Sequence, residues 1–124
     1  MEFKDIYKTL SKLDLSNLLE KKMGITFLSW ANAWDVLMEH YPNSFFMILE
    51  PATFADGTVE VWTSVSVEGY ERKMWLPVMD HRNQAIKNPN SRQVSDSRMR
   101  CLVKNLAMFG LAYMCIEVKI GQTV

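Results

Sequence analysis

The chain has 124 residues, enough to bury one core and too few for two domains. Apolar residues make up 48% and charged residues 23%, an ordinary globular composition, and no apolar run approaches the roughly 20 residues of a membrane span. Fourteen Lys and Arg balance fourteen Asp and Glu, which excludes a uniformly basic protein but leaves room for segregated charge.

The N-terminus, MEFKDIYKTL, is polar and mixed in charge, so it reads as no secretory signal and points to the cytoplasm. Phe3, Ile6, Tyr7, Leu10 and Leu13 recur at spacings of three and four and predict a helix. A second short helix is expected over Leu15 to Lys22, closed by Gly24. Ser29 is positioned to cap a third, with Trp30, Ala33, Trp34, Leu37 and Met38 on its apolar face and Tyr41-Pro42-Asn43-Ser44 as its stop.

Three strands follow. Phe45 to Glu50 ends at Pro51, and Ala55-Asp56-Gly57 is a turn. Thr58 to Val67 alternates: Val59, Val61, Thr63, Val65 and Val67 take one face, and Glu60, Trp62, Ser64 and Ser66 the other. Glu68-Gly69 reads as a two-residue hairpin loop into Tyr70 to Val78. That register sets Val67 opposite Tyr70, Val61 opposite Leu76, Trp62 opposite Trp75 and Ser64 opposite Lys73. It also places Arg72 on the valine face, where it needs an anion from the protein or from a ligand.

Residues 80 to 94 are polar and read as a loop, mobile until something binds, with one helical turn at Asn83 to Lys87. Ser95 is the expected cap of a last helix running to about Cys115. Met99, Leu102, Val103, Leu106, Phe109 and Tyr113 share one side of it, Arg100 and Lys104 the opposite side, and Arg98 with Asn105 a third edge. The tail from Ile116 is either a short strand or a frayed end. The expected fold class is α+β: two to three N-terminal helices, a three-stranded antiparallel sheet, and a long C-terminal helix packed on it. One domain is expected over 1–124, with 1–24 as N-terminal helices that are candidates for oligomer contacts and 25–115 as the β-β-β-α core.

Familiar catalytic patterns are lacking. The sequence has no phosphate-binding glycine loop, no dinucleotide fingerprint and no nucleophile elbow. His40 and His81 have no partner at metal-ligand spacing, and His40 reads as a helix-terminal residue. Cys101 and Cys115 read as reduced packing residues. No metal or cofactor is expected, and the chain reads as a binder rather than an enzyme.

Charge supplies the positive signal. Residues 72 to 104 hold Arg72, Lys73, Arg82, Lys87, Arg92, Arg98, Arg100 and Lys104 against Asp80 and Asp96, a net +6. Residues 1 to 60 hold five positive and nine negative charges, a net −4. A basic segment in a neutral protein suits a polyanion, or else is a solvated face with no partner. Cations along a groove and flat aromatic surfaces are the two ingredients of single-strand binding. The eight cations are therefore candidate DNA-binding residues. Trp62, Trp75 and Tyr70 are candidates for base stacking, with packing as the alternative reading of the tryptophan pair.

Three stretches resemble the phage and prophage single-strand annealing proteins of the Sak type: residues 21–34 (KKMGITFLSWANAW, followed by Tyr41-Pro42), 75–86 (WLPVMDHRNQAI) and 99–112 (MRCLVKNLAMFGLA). The third also resembles the helix of eukaryotic recombination-mediator annealing proteins, through Ser95-Asp96, Lys104 and Phe109-Gly110. Val103 takes the other position of that family's basic pair, and Arg100 stands one turn before Lys104. The resemblance implies assembly into rings or helical filaments, and single-stranded DNA held along a continuous basic groove between hairpin and helix. It implies pairing of complementary strands without ATP, in phage recombination in the bacterial cytoplasm, with an exonuclease and a single-strand-binding protein as partners. The competing readings are a monomeric nucleic-acid-binding module that does not anneal, and a regulatory protein whose basic segment meets an acidic partner.

Overall fold

A computed structural model describes residues 1–22 and 24–111. The elements are α1 (Phe3–Ser11), a 3-10 turn (Ser16–Leu18), β1 (Leu19–Lys22), β2 (Ile25–Leu28), α2 (Trp30–His40), β3 (Phe45–Ile48), β4 (Ala52–Thr53), β5 (Val59–Val67), β6 (Tyr70–Pro77) and α3 (Ser91–Ala107). β5 is the central strand, with β3 and β4 along one side and β6 along the other, all antiparallel to it. α3 packs on the inner face of β5 and β6. The architecture is the expected α+β fold, with β4 and a small separate hairpin added.

The β5–β6 hairpin has the register that the alternation predicts: Val67 faces Tyr70, Val65 faces Arg72, Ser64 faces Lys73, Trp62 faces Trp75 and Val61 faces Leu76. Its turn works because Glu68 and Gly69 both take positive φ, 50° and 83°, the geometry that matches a two-residue loop to the twist of its strands. β5 then turns Val61, Thr63, Val65 and Val67 inward, all fully buried. α2 starts where Ser29 accepts the Asn32 N–H at 3.2 Å, and His40 closes it with Nδ1 3.0 Å from the Val36 carbonyl.

Four boundaries differ from the sequence reading. Leu15–Lys22 is not a helix: after the 3-10 turn the chain extends and pairs Leu19 with Leu28 and Lys21 with Thr26. Gly24, at φ 78°, serves the hairpin turn rather than a helix end. α3 begins five residues earlier than a Ser95 cap would give. Asn90 accepts the Gln93 N–H at 2.9 Å and Gln93 returns a bond to the Asn90 N–H at 3.0 Å, a reciprocal box that captures Ser91–Val94 into the helix. α3 also ends earlier, at Ala107, and Gly110 at φ 96° follows in a turn. A Cβ at Gly110 would lie 2.7 Å from the Tyr7 carbonyl oxygen, so only glycine lets this turn close on α1. Asn83–Lys87 is not helical; Asn83 and Asn88 take positive φ and the segment pairs through single bridges. Tyr113, Cys115 and the tail from Ile116 lie outside the described residues.

Two apolar clusters hold the layers together. The larger joins α1, α2 and the C-terminal half of α3 over Val65 and Val67, through Ile6, Leu10, Leu37, Leu102, Leu106 and Phe109. The smaller lies under the N-terminal half of α3, where Cys101 meets Val61, Met74, Leu76 and Val78. Each fully buried aliphatic or aromatic side chain contributes about 1.5–3 kcal/mol. α1 belongs to the main core, and Trp34 packs edge-on against Phe46 (5.0 Å) on the inner side of the sheet, away from Trp62 and Trp75.

Between the clusters sits a polar strap. The Asn105 amide is fully buried and its Nδ2 reaches the Thr63 carbonyl (3.2 Å), the Thr63 hydroxyl (3.2 Å) and the Arg72 carbonyl (2.9 Å). One side chain thus ties α3 to both strands of the hairpin. Asn105→Ala removes these bonds and leaves the Thr63 hydroxyl buried, so it should cost about 1–3 kcal/mol. Urea denaturation should show a lower midpoint at unchanged slope; a loss below about 0.5 kcal/mol would deny the strap any role in stability.

Candidate nucleic-acid interface

The rotation of α3 decides which cations reach solvent. Ser97, Cys101 and Asn105, spaced by four, are buried toward the sheet, and Leu102 and Leu106 toward α1 and α2. Arg100 and Lys104 therefore fall on the side of α3 that flanks β6 and the loop after it. Arg100 Nη2 donates to Asn83 Oδ1 at 3.0 Å, which fastens that loop to the helix. Burial alone draws the Arg100 pKa down, and a guanidinium stays charged at neutral pH regardless.

The loop itself is held by its own polar groups. Asp80 Oδ1 accepts the N–H of Arg82 (2.9 Å) and of Gln84 (3.0 Å). Met79 bridges Ala85, and Lys87 bridges Thr58 beside β5. The Asn88 N–H donates to the Gly57 carbonyl at 2.8 Å. This ordered path presents Arg82 and Lys87 as exposed side chains, and Arg92 is exposed on the first turn of α3. Arg82, Lys87, Arg92, Arg100 and Lys104 thus belong to one continuous loop-and-helix region.

The remaining candidates separate. Lys73 is exposed on the outer face of β6, beside the tryptophan pair. Trp62 and Trp75 lie 5.3 Å apart at 34°; Trp62 Nε1 donates to Glu60 Oε1 at 2.9 Å, and Trp75 is 47% exposed. Tyr70 is on the opposite, inner face. Its ring meets Phe3 edge-on at 5.6 Å and its hydroxyl donates to the Met1 carbonyl at 2.9 Å. Arg72 is also inward, with its guanidinium 4.3 Å from the Phe3 ring centre and Nη1 donating to the Glu71 carbonyl. The partner expected of Arg72 is thus an aromatic face and a carbonyl rather than a carboxylate. Arg98 is half-buried on the α2 side of α3, with a buried Nε that has no hydrogen-bond partner.

Among the described residues the one side-chain ion pair within 4.0 Å is Lys4–Glu2. The pairing of Asp96 with Arg100 that their spacing allows is therefore not made. Asp56 feels Lys87, and Asp80 feels His81 and Arg82, at longer range. The basic region keeps its charge. Among the same residues no group of three or more His, Cys, Asp or Glu side chains is placed to hold a metal ion, and no helix is long and apolar enough to cross a membrane.

Sequence reasoning missed one basic element. Among the described residues the β1–β2 hairpin pairs with no other strand, and it carries Lys21, exposed, near its turn. Reading Leu15–Lys22 as a helix hid it. The signal available was Ile25-Thr26-Phe27, a β-prone run directly after Gly24.

A layered α+β domain with an unneutralised basic region of this shape is the class of protein that holds a polyanion. The family model of the Sak Single Strand Annealing Protein matches residues 4–118, and the chain belongs to that family. Membership carries single-strand annealing, and with it binding of single-stranded DNA and a role in recombination; such proteins are generally non-catalytic. No curated protein and no solved structure gives a significant match.

The loop anchor is pH-dependent. The Gln84 N–H is the main cause that holds the Asp80 carboxyl below its ordinary value; desolvation opposes it, and the Arg82 N–H adds a further lowering. A depressed folded-state pKa means that the anchor is at full strength above about pH 4 and is lost as pH falls through the lowered value. Asp80→Ala should abolish the protection of the Arg82 and Gln84 amides against hydrogen exchange at neutral pH; unchanged protection would assign the loop's order to other bonds.

Proposed function

We propose that this chain grips the sugar-phosphate backbone of single-stranded DNA with Arg82, Lys87, Arg92, Arg100 and Lys104, leaving bases exposed to a second strand. The match of the Sak family model over residues 4–118 carries this reading. The lack of ion pairs at these five side chains supports it, since each can release a counterion when a phosphate replaces it. Lys73, with Trp62 and Trp75, offers a neighbouring surface for bases on the outer face of the hairpin. Arg72 and Arg98 sit apart from this track, and Tyr70 is engaged with α1. The chain works as a ring or helical homo-oligomer, because one subunit's track spans few nucleotides and pairing needs a longer stretch held open. Annealing then proceeds without ATP: phosphate repulsion is screened and the strands find their own base pairs. An exonuclease that exposes the strand and a single-strand-binding protein that coats it are the expected partners.

The direct test is annealing of two complementary oligonucleotides without nucleotide, with affinity measured across a salt series. Each phosphate contact adds about 0.7 to the slope of log affinity against log salt for single strands. Replacing Arg100 and Lys104 together by Ala should therefore flatten the slope by about 1.4 while the protein stays folded. An unchanged slope removes both residues from the track. Trp62→Ala separates the two roles of the tryptophan pair: weaker DNA binding with an intact melt means stacking on bases, and a collapsed melt means packing.

A further inference from the structure

Among the described residues the central sheet ends in two unpaired edges of unequal character. The Leu49 N–H donates to the Trp62 carbonyl, so Leu49, Met47 and Phe45 face β5 with their backbone groups, and those of Phe46 and Ile48 point outward. On the other side the Val78 N–H donates to the Val59 carbonyl, so the backbone groups of Glu71, Lys73, Trp75 and Pro77 point away from β5. Neither edge pairs with another described strand.

β3 is the anomalous edge. Its sequence is Phe-Phe-Met-Ile, without a charge or a proline, and Phe45, Met47 and Ile48 are 56%, 54% and 39% exposed. Proteins blunt free edges with lysine, proline or bulges, because an exposed apolar edge recruits another strand. The free side of β6 carries Glu71, Lys73, the half-exposed Trp75 and Pro77, a guarded edge that keeps the outward N–H groups of residues 71, 73 and 75.

Charge selects the pairing. β3 belongs to the half of the chain with net −4, and β6 opens the segment with net +6. Packed beside β3 is α2, whose Asp35 and Glu39 are exposed, whereas the side of α3 beside β6 carries the half-buried Arg100 and Lys104 together with the exposed Asp96. Pairing β3 with β3 about a two-fold axis would set acid on acid and stop at a dimer. Pairing β3 with β6 sets acid toward base and leaves an open edge at each end.

We propose that neighbouring copies join edge to edge, β3 of one lying parallel to β6 of the next. The contact is head-to-tail, so it repeats, and it closes into a ring or winds into a helix. It also sets the basic track of each copy at a fixed offset from its neighbour's. This seam rests on the assembly reading above and adds to it the surfaces that meet.

Two proline variants test the seam. Ile48→Pro and Lys73→Pro each remove an outward N–H and no ladder bond, since proline is tolerated at such edge positions. Light scattering should find each variant alone at the single-chain mass of 14.4 kDa, where the unaltered chain is assembled, with a wild-type circular dichroism spectrum. Mixed together they should form a dimer and stop, because each keeps the edge that the other lacks. Ile48→Lys repeats the β3 arm without a proline if the first variant misfolds. Assemblies of wild-type size from either variant, or a mixture that stays monomeric, overturn the seam. An unaltered chain that is monomeric both free and on single-stranded DNA overturns the assembly reading itself.

Discussion

The fit of α3 against the hairpin is the constraint on which the rest depends. Ser97, Cys101 and Asn105 form a narrow stripe of small and polar side chains, and the Asn105 amide bonds carbonyls of both β5 and β6. Small residues let the helix approach closely, and the buried amide favours the one rotation and depth in which its Nδ2 reaches all three oxygens, while its Oδ1 stays buried without a hydrogen-bond partner. That rotation turns Arg100 and Lys104 toward the loop after β6 and Arg98 toward α2. A structural bond in the core thus decides which cations are available to a ligand.

A second consequence concerns the balance of charge. A neutral protein could cancel its cations internally, and this one does not: acidic residues concentrate before residue 60 and basic ones after 72, and the described residues contain a single close ion pair, near the N-terminus. Surface pairs contribute little to stability, so separating the charges costs the fold almost nothing. The separation leaves a region able to exchange counterions for phosphates. Proteins of the family to which the chain belongs anneal single strands and are generally non-catalytic.

The parts of this arrangement that lie close in sequence were readable from it. Strict alternation over Val59–Val67 and a turn-forming Glu68-Gly69 determine the hairpin register, and Ser29 marks the start of α2. Where two local signals compete, reading failed. Asn90 with Gln93 and Ser95 with Asp96 are both plausible helix starts, and the reciprocal bonds of the first pair prevail. Leu15, Leu18 and Leu19 fit a helical stripe, yet they serve a 3-10 turn and a strand because the residues after Gly24 pair back onto them. Contacts between distant segments left no trace. Arg72 on an apolar face announced the need for a partner, but nothing local identified Phe3, 69 positions earlier, as that partner. The Asn83–Arg100 bond that unites loop and helix was hidden for the same reason.

The central claim is that one side of the molecule, from the loop after β6 to the last turn of α3, is the surface that meets the strand. Photo-crosslinking of thiothymidine-containing single strands, with the attached peptides identified by mass spectrometry, tests this most directly. Crosslinks on residues 82–104, and on the outer face of the β5–β6 hairpin, are what the account predicts. Crosslinks concentrated on α1, or on the acidic exposed face of α2, would contradict it.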